Sequence, residues 1–263
     1  MENTELYYKE SDKVRVRSIL LMCLAGIPVA AILGLVYGYI LNSMPFIYLN
    51  IIITVLFGIG IGFVIGKVAH LTKAPNHRYL TGISFFVMFF AVYLGWVSWI
   101  YASSDQTLLE FNPIELFQLI SDLSSKGSWL IFGYTPKGRV LEIVWLLEAS
   151  IIMIMTSTMA IMEVKKQPFC DKCNSWTERK TIPENTSHVE NVKEFVSSLE
   201  RNDVSELIKL VEIDPTELKR TKVSISNCEN CNDSHFLRLQ SIIQKRLIII
   251  LNQIQVALVF HLN

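Results

Sequence analysis

Two cysteine pairs carry the clearest chemistry in this chain. Cys170 and Cys173 bracket Asp171-Lys172, and Cys228 and Cys231 bracket Glu229-Asn230. Cys-x-x-Cys folds as a tight turn with both sulfurs on one side, and two such turns supply four soft thiolates for one tetrahedral ion. Zinc is the expected ion; iron also accepts four cysteines. Thioredoxin-like redox chemistry needs one pair rather than two, and disulfides are disfavoured in a reducing cytoplasm. Four cysteines fill the shell and leave no place for water or substrate, so the site is expected to be structural. Four thiolates on a dication leave a charge of about −2. Lys165, Lys166, Lys172, Arg179 and Lys180 are near enough in sequence to offset it. Cys23, inside an apolar run, is read as a filler, and His235 as a neighbour of the site rather than a ligand.

A second candidate set is intramembrane. Glu142 and Glu148 are read as the carboxylates inside the last of four long apolar runs. Glu148 follows Arg139 by nine residues, about 13 Å at 1.5 Å per residue. Ionisable groups at that depth face a bundle interior and mark candidate function. Asn50, Ser84, Ser98 or a tyrosine would be its hydrogen-bond partner, and a proton or cation relay is the functional alternative. His70, His77 and Arg78 share one loop and could meet lipid phosphates, although a basic anchor is the simpler reading. Gly-x-Ser-x-Gly, a phosphate loop and His-Glu-x-x-His are all missing from the sequence, so a non-enzymatic protein is expected.

The elements that must position these groups follow from composition. The 263 residues are 51% hydrophobic and 18% charged, against about 25% charged in an ordinary soluble domain. The deficit is local, giving a membrane domain over 1–164 and a soluble domain over 165–263. The membrane domain has four predicted spans at about 18–41, 46–66, 79–102 and 140–164. The turnaround Asn42-Ser43-Met44-Pro45 forces the first two into an antiparallel hairpin.

Lys9, Lys13, Arg15 and Arg17 precede the first span; Lys67, Lys73 and Arg78 follow the second; Lys165-Lys166 follow the fourth. The loop 103–139 is poorer in bases and holds several acids. This asymmetry places both termini in the cytoplasm and the 103–139 loop outside. The soluble domain carries 14 bases and 13 acids, a net of 14 − 13 = +1. Such a balance does not favour nucleic acid.

Within the outer loop, Asn112-Pro113 marks a helix start. Ile114, Phe117, Leu119, Ile120 and Leu123 follow as an apolar stripe, suited to the membrane surface or to capping the bundle. Trp129, Phe132 and Tyr134 suit an interface. Tyr93, Trp96, Trp99 and Tyr101 read as the aromatic belt of the third span, and Pro28 as a kink in the first. Small residues recur every fourth position: Gly26, Ala30, Gly34 and Gly38 in the first span, Gly58, Gly62 and Gly66 in the second. Such faces permit close helix packing. They are expected to pack on each other within the hairpin; a zipper for homo-oligomerisation is the alternative.

In the soluble domain, 54 residues separate the cysteine pairs, enough for a helical insertion. Ser187 to Glu190 reads as a capping box ahead of Val192, Phe195, Val196 and Leu199. Asp203 begins a second short helix, which Asp214-Pro215 ends. Val223 to Ser226 alternates as a strand into Cys228. A β-hairpin is expected from Leu247–Leu251 and Ile254–Phe260, parted by Asn252-Gln253.

The segments Pro168–Cys173 and Cys228 to about Ile243 resemble zinc ribbons, in which each cysteine knuckle begins or ends a β-hairpin; the long spacer departs from the compact pattern. The whole plan resembles uncharacterised bacterial multi-span membrane proteins with a cytoplasmic zinc ribbon, and the stretch from Lys137-Gly138 through Trp145 and Glu148-Ala149 adds to that likeness. The resemblance implies architecture and a bacterial plasma membrane, and no activity. The expected class is therefore an α-helical membrane protein with an α+β zinc-ribbon-like cytoplasmic domain. A lipid bilayer and a protein bound at the cytoplasmic domain are its expected partners. An oligomeric channel or transporter using the glycine-faced hairpin and Glu148 is the alternative, and a membrane enzyme stands behind it.

Overall fold

The computed structural model describes residues 11–13, 15–44, 47–127, 135–181, 219–231, 235–245 and 248–255, with scattered positions between 189 and 205. Asp12–Lys166 forms one compact unit, and Gln167–Asn263 together with Met1–Ser11 the other.

The first unit holds α1 (Val16–Ser43), α2 (Ile47–Leu71), α3 (His77–Ser103), α4 (Pro113–Lys126) and α5 (Arg139–Val164). Four of these, all but α4, are long and apolar enough to cross a membrane. Their outward surfaces are apolar too, with Leu20, Leu24, Ile32, Phe86, Phe89 and Leu146 all exposed, as a hydrocarbon solvent requires. Each span end falls within five residues of its predicted position, and α1 continues through Pro28.

The glycine faces pack differently from the sequence expectation. They do not meet each other across the hairpin. Those of α1 close on α3: a Cβ at Gly38 would lie 2.9 Å from the Trp99 amide nitrogen, and one at Gly34 would overlap the Ala91 carbonyl. Those of α2 close on α5: a Cβ at Gly58 would lie 2.9 Å from the Ile152 carbonyl oxygen, and one at Gly66 2.8 Å from that of Ala160. The physical reason is matching. Ala91 and Gly95 on α3, and Thr156 and Ala160 on α5, are themselves small residues at four-residue spacing, so two backbones approach where both sides are small. Each seam also has a hydroxyl bond. Ser98 Oγ donates to the Leu35 carbonyl at 2.6 Å, and Thr156 Oγ1 to the Gly58 carbonyl at 3.1 Å.

Helix α4 starts as its sequence dictates, with Asn112 Oδ1 accepting the Ile114 amide at 3.0 Å and Pro113 at the first helical position. It ends at Gly127, whose φ of +87° favours glycine. Its apolar residues divide into two faces rather than one stripe. Leu116 is 3% exposed against Val97 and Ile100, with Leu119 and Ile120 beside it. Ile114 and Phe117 remain 70% and 72% exposed. At 100° per residue, positions 116, 119, 120 and 123 share a side, and 114 and 117 do not. The helix therefore caps the end of α3 while presenting two large apolar groups outward. Trp129, Phe132 and Tyr134 lie outside the described residues.

Among its described residues the second unit has two antiparallel sheets. In the smaller, β1 (Phe169–Cys170) pairs with β2 (Ser175–Trp176). In the larger, β3 (Glu178–Thr181), β4 (Lys219–Asn227), β5 (His235–Lys245) and β6 (Ile248–Gln255) lie in that order. The expected C-terminal hairpin is corrected here. Strand β6 runs straight through Asn252-Gln253 and pairs with β5, Lys245 standing opposite Ile248. Asn252 and Gln253 stand opposite Ser241 and Gln240 in the strand register, so polar residues pair with polar residues along the ladder and the strand need not break. Residues 256–260 of the expected second arm lie outside the described residues.

In the stretch expected to hold a helical insertion, Asn191 Oδ1 accepts the Glu194 amide at 3.3 Å, and Nδ2 donates to Glu194 Oε2 at 3.1 Å. Asp203 Oδ1 accepts the Ser205 amide at 3.0 Å, as a helix start there requires. Ser187, Glu190, Val192, Val196, Leu199 and Asp214-Pro215 lie outside the described residues.

Candidate metal centre and intramembrane carboxylates

The four cysteines come together. Cys170 closes β1, Cys173 lies in the turn before β2, and Cys228 and Cys231 occupy the turn between β4 and β5. All four Sγ atoms lie within 4.8 Å of one another, and Cys170 Sγ is 3.7 Å from Cys231 Sγ. A tetrahedron with bonds of about 2.3 Å has sulfur–sulfur edges of about 3.8 Å. The cluster is therefore of the right size for one tetrahedral metal ion.

Local folding explains the convergence. Asn174 adopts φ +51°, turning the chain tightly after Cys173. Phe169 and Trp176 pack edge to face at 4.9 Å across the β1–β2 pair. Thr177 clamps the hairpin base, its amide and hydroxyl each 3.0 Å from the Pro168 carbonyl. On β4, Ser224 and Ser226 are buried, and Cys228 follows at the same parity. The period of two thus delivers its sulfur inward, and the small serines leave room beneath it.

Neighbouring groups polarise the sulfurs. Burial pushes the Cys228 thiol up, but hydrogen bonding to Ser175 and to the Asn230 and Cys231 amides outweighs it and brings it to about 6. Cys173 is pushed up to about 12, first by its hydrogen bond with Cys231, then by burial and its hydrogen bonds with Cys228 and Cys170. Without an ion, the Cys228 thiolate is thus favoured and Cys173 holds its proton; a dication would displace it. Ser175 Oγ lies 3.6 Å from Cys228 Sγ and accepts from Asn230 Nδ2 at 3.3 Å. Outer partners of this kind typically contribute 10–100-fold in metal affinity. Ser175→Ala should therefore weaken binding about tenfold with stoichiometry unchanged, as read by competition with a zinc chelator.

Lys166, one of the bases expected to offset the cluster, is engaged elsewhere. Its Nζ lies 2.5 Å from Glu163 Oε1, while Lys67 Nζ lies 3.2 Å from Oε2. Glu163 is 2% exposed and did not emerge from the sequence reading. It sits where Gly66 lets α5 approach, with a Cβ at Gly66 only 2.7 Å from its own Cβ. Lys67→Met should destabilise the bundle by about 1–3 kcal/mol, seen as a lower thermal midpoint in detergent. A double variant with Glu163→Gln should recover part of that loss.

The two expected carboxylates separate in role. Glu142 is exposed, and Ser124 Oγ donates to its Oε1 at 3.0 Å, tying α4 to α5. Glu148 points into the bundle. Tyr37 donates to its Oε1; Thr54 Oγ1 lies 3.4 Å from the same oxygen and 2.9 Å from the Tyr37 hydroxyl. A tyrosine is thus its partner, and Thr54 is an addition. Ser98 binds α1 instead, and Ser84 Oγ is buried without a hydrogen-bond partner. Beside Glu148 a cavity of about 280 Å³ opens between α1, α2, α3 and α5. Trp96 and Trp99, expected in an interfacial belt, line it together with Trp145. Asn50 lines it too, with its Oδ1 buried and without a hydrogen-bond partner.

No family model, curated protein or solved structure matches this chain.

Proposed function

We propose that this chain is a non-enzymatic, membrane-anchored zinc protein whose cytoplasmic, zinc-ribbon-like domain docks another protein. The convergence of four sulfurs within 4.8 Å carries the reading. Zinc is favoured because a closed set of four thiolates suits a structural ion. The flanking hairpins support the ribbon likeness: one knuckle joins β1 to β2, the other β4 to β5. Docking is supported by strand β6, an apolar strand at one side of the larger sheet, a place where a partner can add a strand. The asymmetry of Lys and Arg supports the cytoplasmic side, and the bacterial plasma membrane rests on resemblance of plan.

Metal analysis of the full chain purified in detergent should find one zinc per chain. Affinity capture from native membranes should then recover a protein with the wild type that Cys173→Ser does not recover. The same partner on a metal-free variant would overturn the docking role.

A channel assembled through the glycine faces of the first hairpin needs those faces free for a second copy. In this chain α3 and α5 fill them. Liposome flux, with Glu148→Gln as control, tests what remains of that reading.

A further inference from the structure

We propose that the cavity beside Glu148 binds a small organic cation: a protonated amine on an apolar body. The inference is independent of the zinc reading and rests on four features of the wall.

The first is charge. Among the described residues lining the cavity, Glu148 is the one charged group, and no lysine, arginine or histidine joins it. Glu163, the other inward carboxylate of α5, shows how this bundle treats an acid it keeps for structure: two lysines meet it. Glu148 has only hydroxyls. An acid in an apolar span is relieved by a proton or by a cation, and a bound cation would hold Glu148 in its charged form.

The second is a shortage of donors. Tyr37 and Thr54 each have one hydroxyl hydrogen. Around them are the Glu148 carboxylate, the Asn50 carbonyl at 2.8 Å from Thr54 Oγ1, and the buried, unpartnered Asn50 Oδ1. Neither hydroxyl hydrogen reaches Asn50 Oδ1, which stays without a partner, so a donor entering the cavity would satisfy it. An ammonium head with N–H bonds supplies both charge and donors.

The third is the aromatic wall. Trp96 and Trp145 meet at 4.9 Å and 83°, and Trp96 and Trp99 at 6.1 Å and 66°. Rings set steeply to one another form a corner, and ring faces attract cations, tryptophan most strongly. Leu41, Ile51, Val92 and Ile152 complete an apolar lining for the body of the ligand.

The fourth is size. At about 280 Å³ the space lies at the small end of ligand pockets. Hard metal cations are a poor fit, since calcium or magnesium takes six or more oxygen ligands and this wall is mostly hydrocarbon. A lipid acyl chain would fill the space but leave Glu148 without a counter-charge and Asn50 Oδ1 without a donor.

The test uses the full chain in phosphatidylcholine nanodiscs, with phenethylammonium and its neutral counterpart phenethyl alcohol as radiolabelled probes. Binding is read by equilibrium dialysis against empty nanodiscs. The expected result is one saturable site per chain, with the ammonium at least tenfold tighter than the alcohol. Glu148→Gln should abolish that preference while leaving alcohol binding in place, and Trp145→Leu should weaken the ammonium several-fold. Thermal midpoint and zinc content report whether each variant is folded. Should Glu148→Gln fail to fold, the wild-type ratio of the two probes still decides. Equal saturable binding of both would mean an apolar or lipid pocket and overturn the proposal. Absence of saturable ammonium binding, or an undiminished preference in folded Glu148→Gln, would do the same.

Discussion

Cys173→Ser should bring the metal content of the purified chain from one ion to nearly none and unfold the β1–β2 knuckle. The argument begins with what holds that knuckle together. Its two strands have two residues each, paired Phe169 to Trp176 and Cys170 to Ser175. Two-stranded ribbons are marginal in water. A structural zinc on four thiolates contributes about 10–16 kcal/mol of apparent binding energy near neutral pH, most of it felt as folding energy. Serine is a poor ligand for this soft site, and three remaining sulfurs leave the shell open.

Amide exchange should accelerate by orders of magnitude across 169–177 and across the second knuckle at 228–231. Helical content of the spans should persist, because the bundle has its own packed seams. Acid should act in the same direction, since metal competes with protons for thiolates: affinity falls as pH falls. One ion retained by Cys173→Ser, with exchange unchanged at 169–177, would show that the cluster is not a metal site.

The sequence made some of this legible because the controlling physics is local. The spans announce themselves by length and apolarity, and their ends differ from expectation by only a few residues. Asn112-Pro113 gives a correct helix start because capping is settled within one turn. The cysteine pairs likewise reveal their site through spacing alone. What stayed hidden depends on which element meets which.

A short turnaround makes α1 and α2 sequence neighbours and invites the reading that their glycine faces meet. The faces choose partners instead by complementary smallness, and the signal was present in Ala91-x-x-x-Gly95 and Thr156-x-x-x-Ala160. Glu163 stands out by no local pattern, being next to Lys165-Lys166 at the end of a span; only the approach of α2 at Gly66 buries it and brings Lys67. Trp96 and Trp99 suited an interfacial belt until the placement of α5 supplied Trp145 and closed a cavity around them. Asn252-Gln253 resembled a turn because polar pairs break an apolar run, and Ser241 and Gln240 on the adjacent strand remove that reason.

Gly62→Leu should disrupt the bundle, costing about 3 kcal/mol or more, beyond the usual range for an overpacked core. A Cβ at Gly62 would lie 2.9 Å from the Thr156 carbonyl carbon and 3.0 Å from Met159 Cβ, and closer still to the Thr156 carbonyl oxygen. Backbone cannot turn aside as a side-chain tip can, so α2 and α5 must separate. Separation also stretches the Thr156 hydroxyl bond to Gly58 and loosens Lys67 on Glu163, since both join the same two helices. Loss is therefore cooperative along the seam.

Position-matched controls separate this from a general dislike of larger residues. Gly60 faces only the Leu33 Cδ1 methyl, at 3.3 Å, and Gly82 has nothing within 4 Å of a new Cβ. Gly82→Ala should be neutral or stabilising by up to about 1 kcal/mol, because alanine is the better helix former. Gly60→Ala should cost little, as a flexible tip can move. Even the single methyl of Gly62→Ala should lower the thermal midpoint measured in one detergent. Equal midpoints for Gly62→Ala and Gly82→Ala would mean that the α2–α5 seam is not close-packed at this position. The contrast is sharp because both glycines sit inside long apolar helices and differ mainly in what lies across from them.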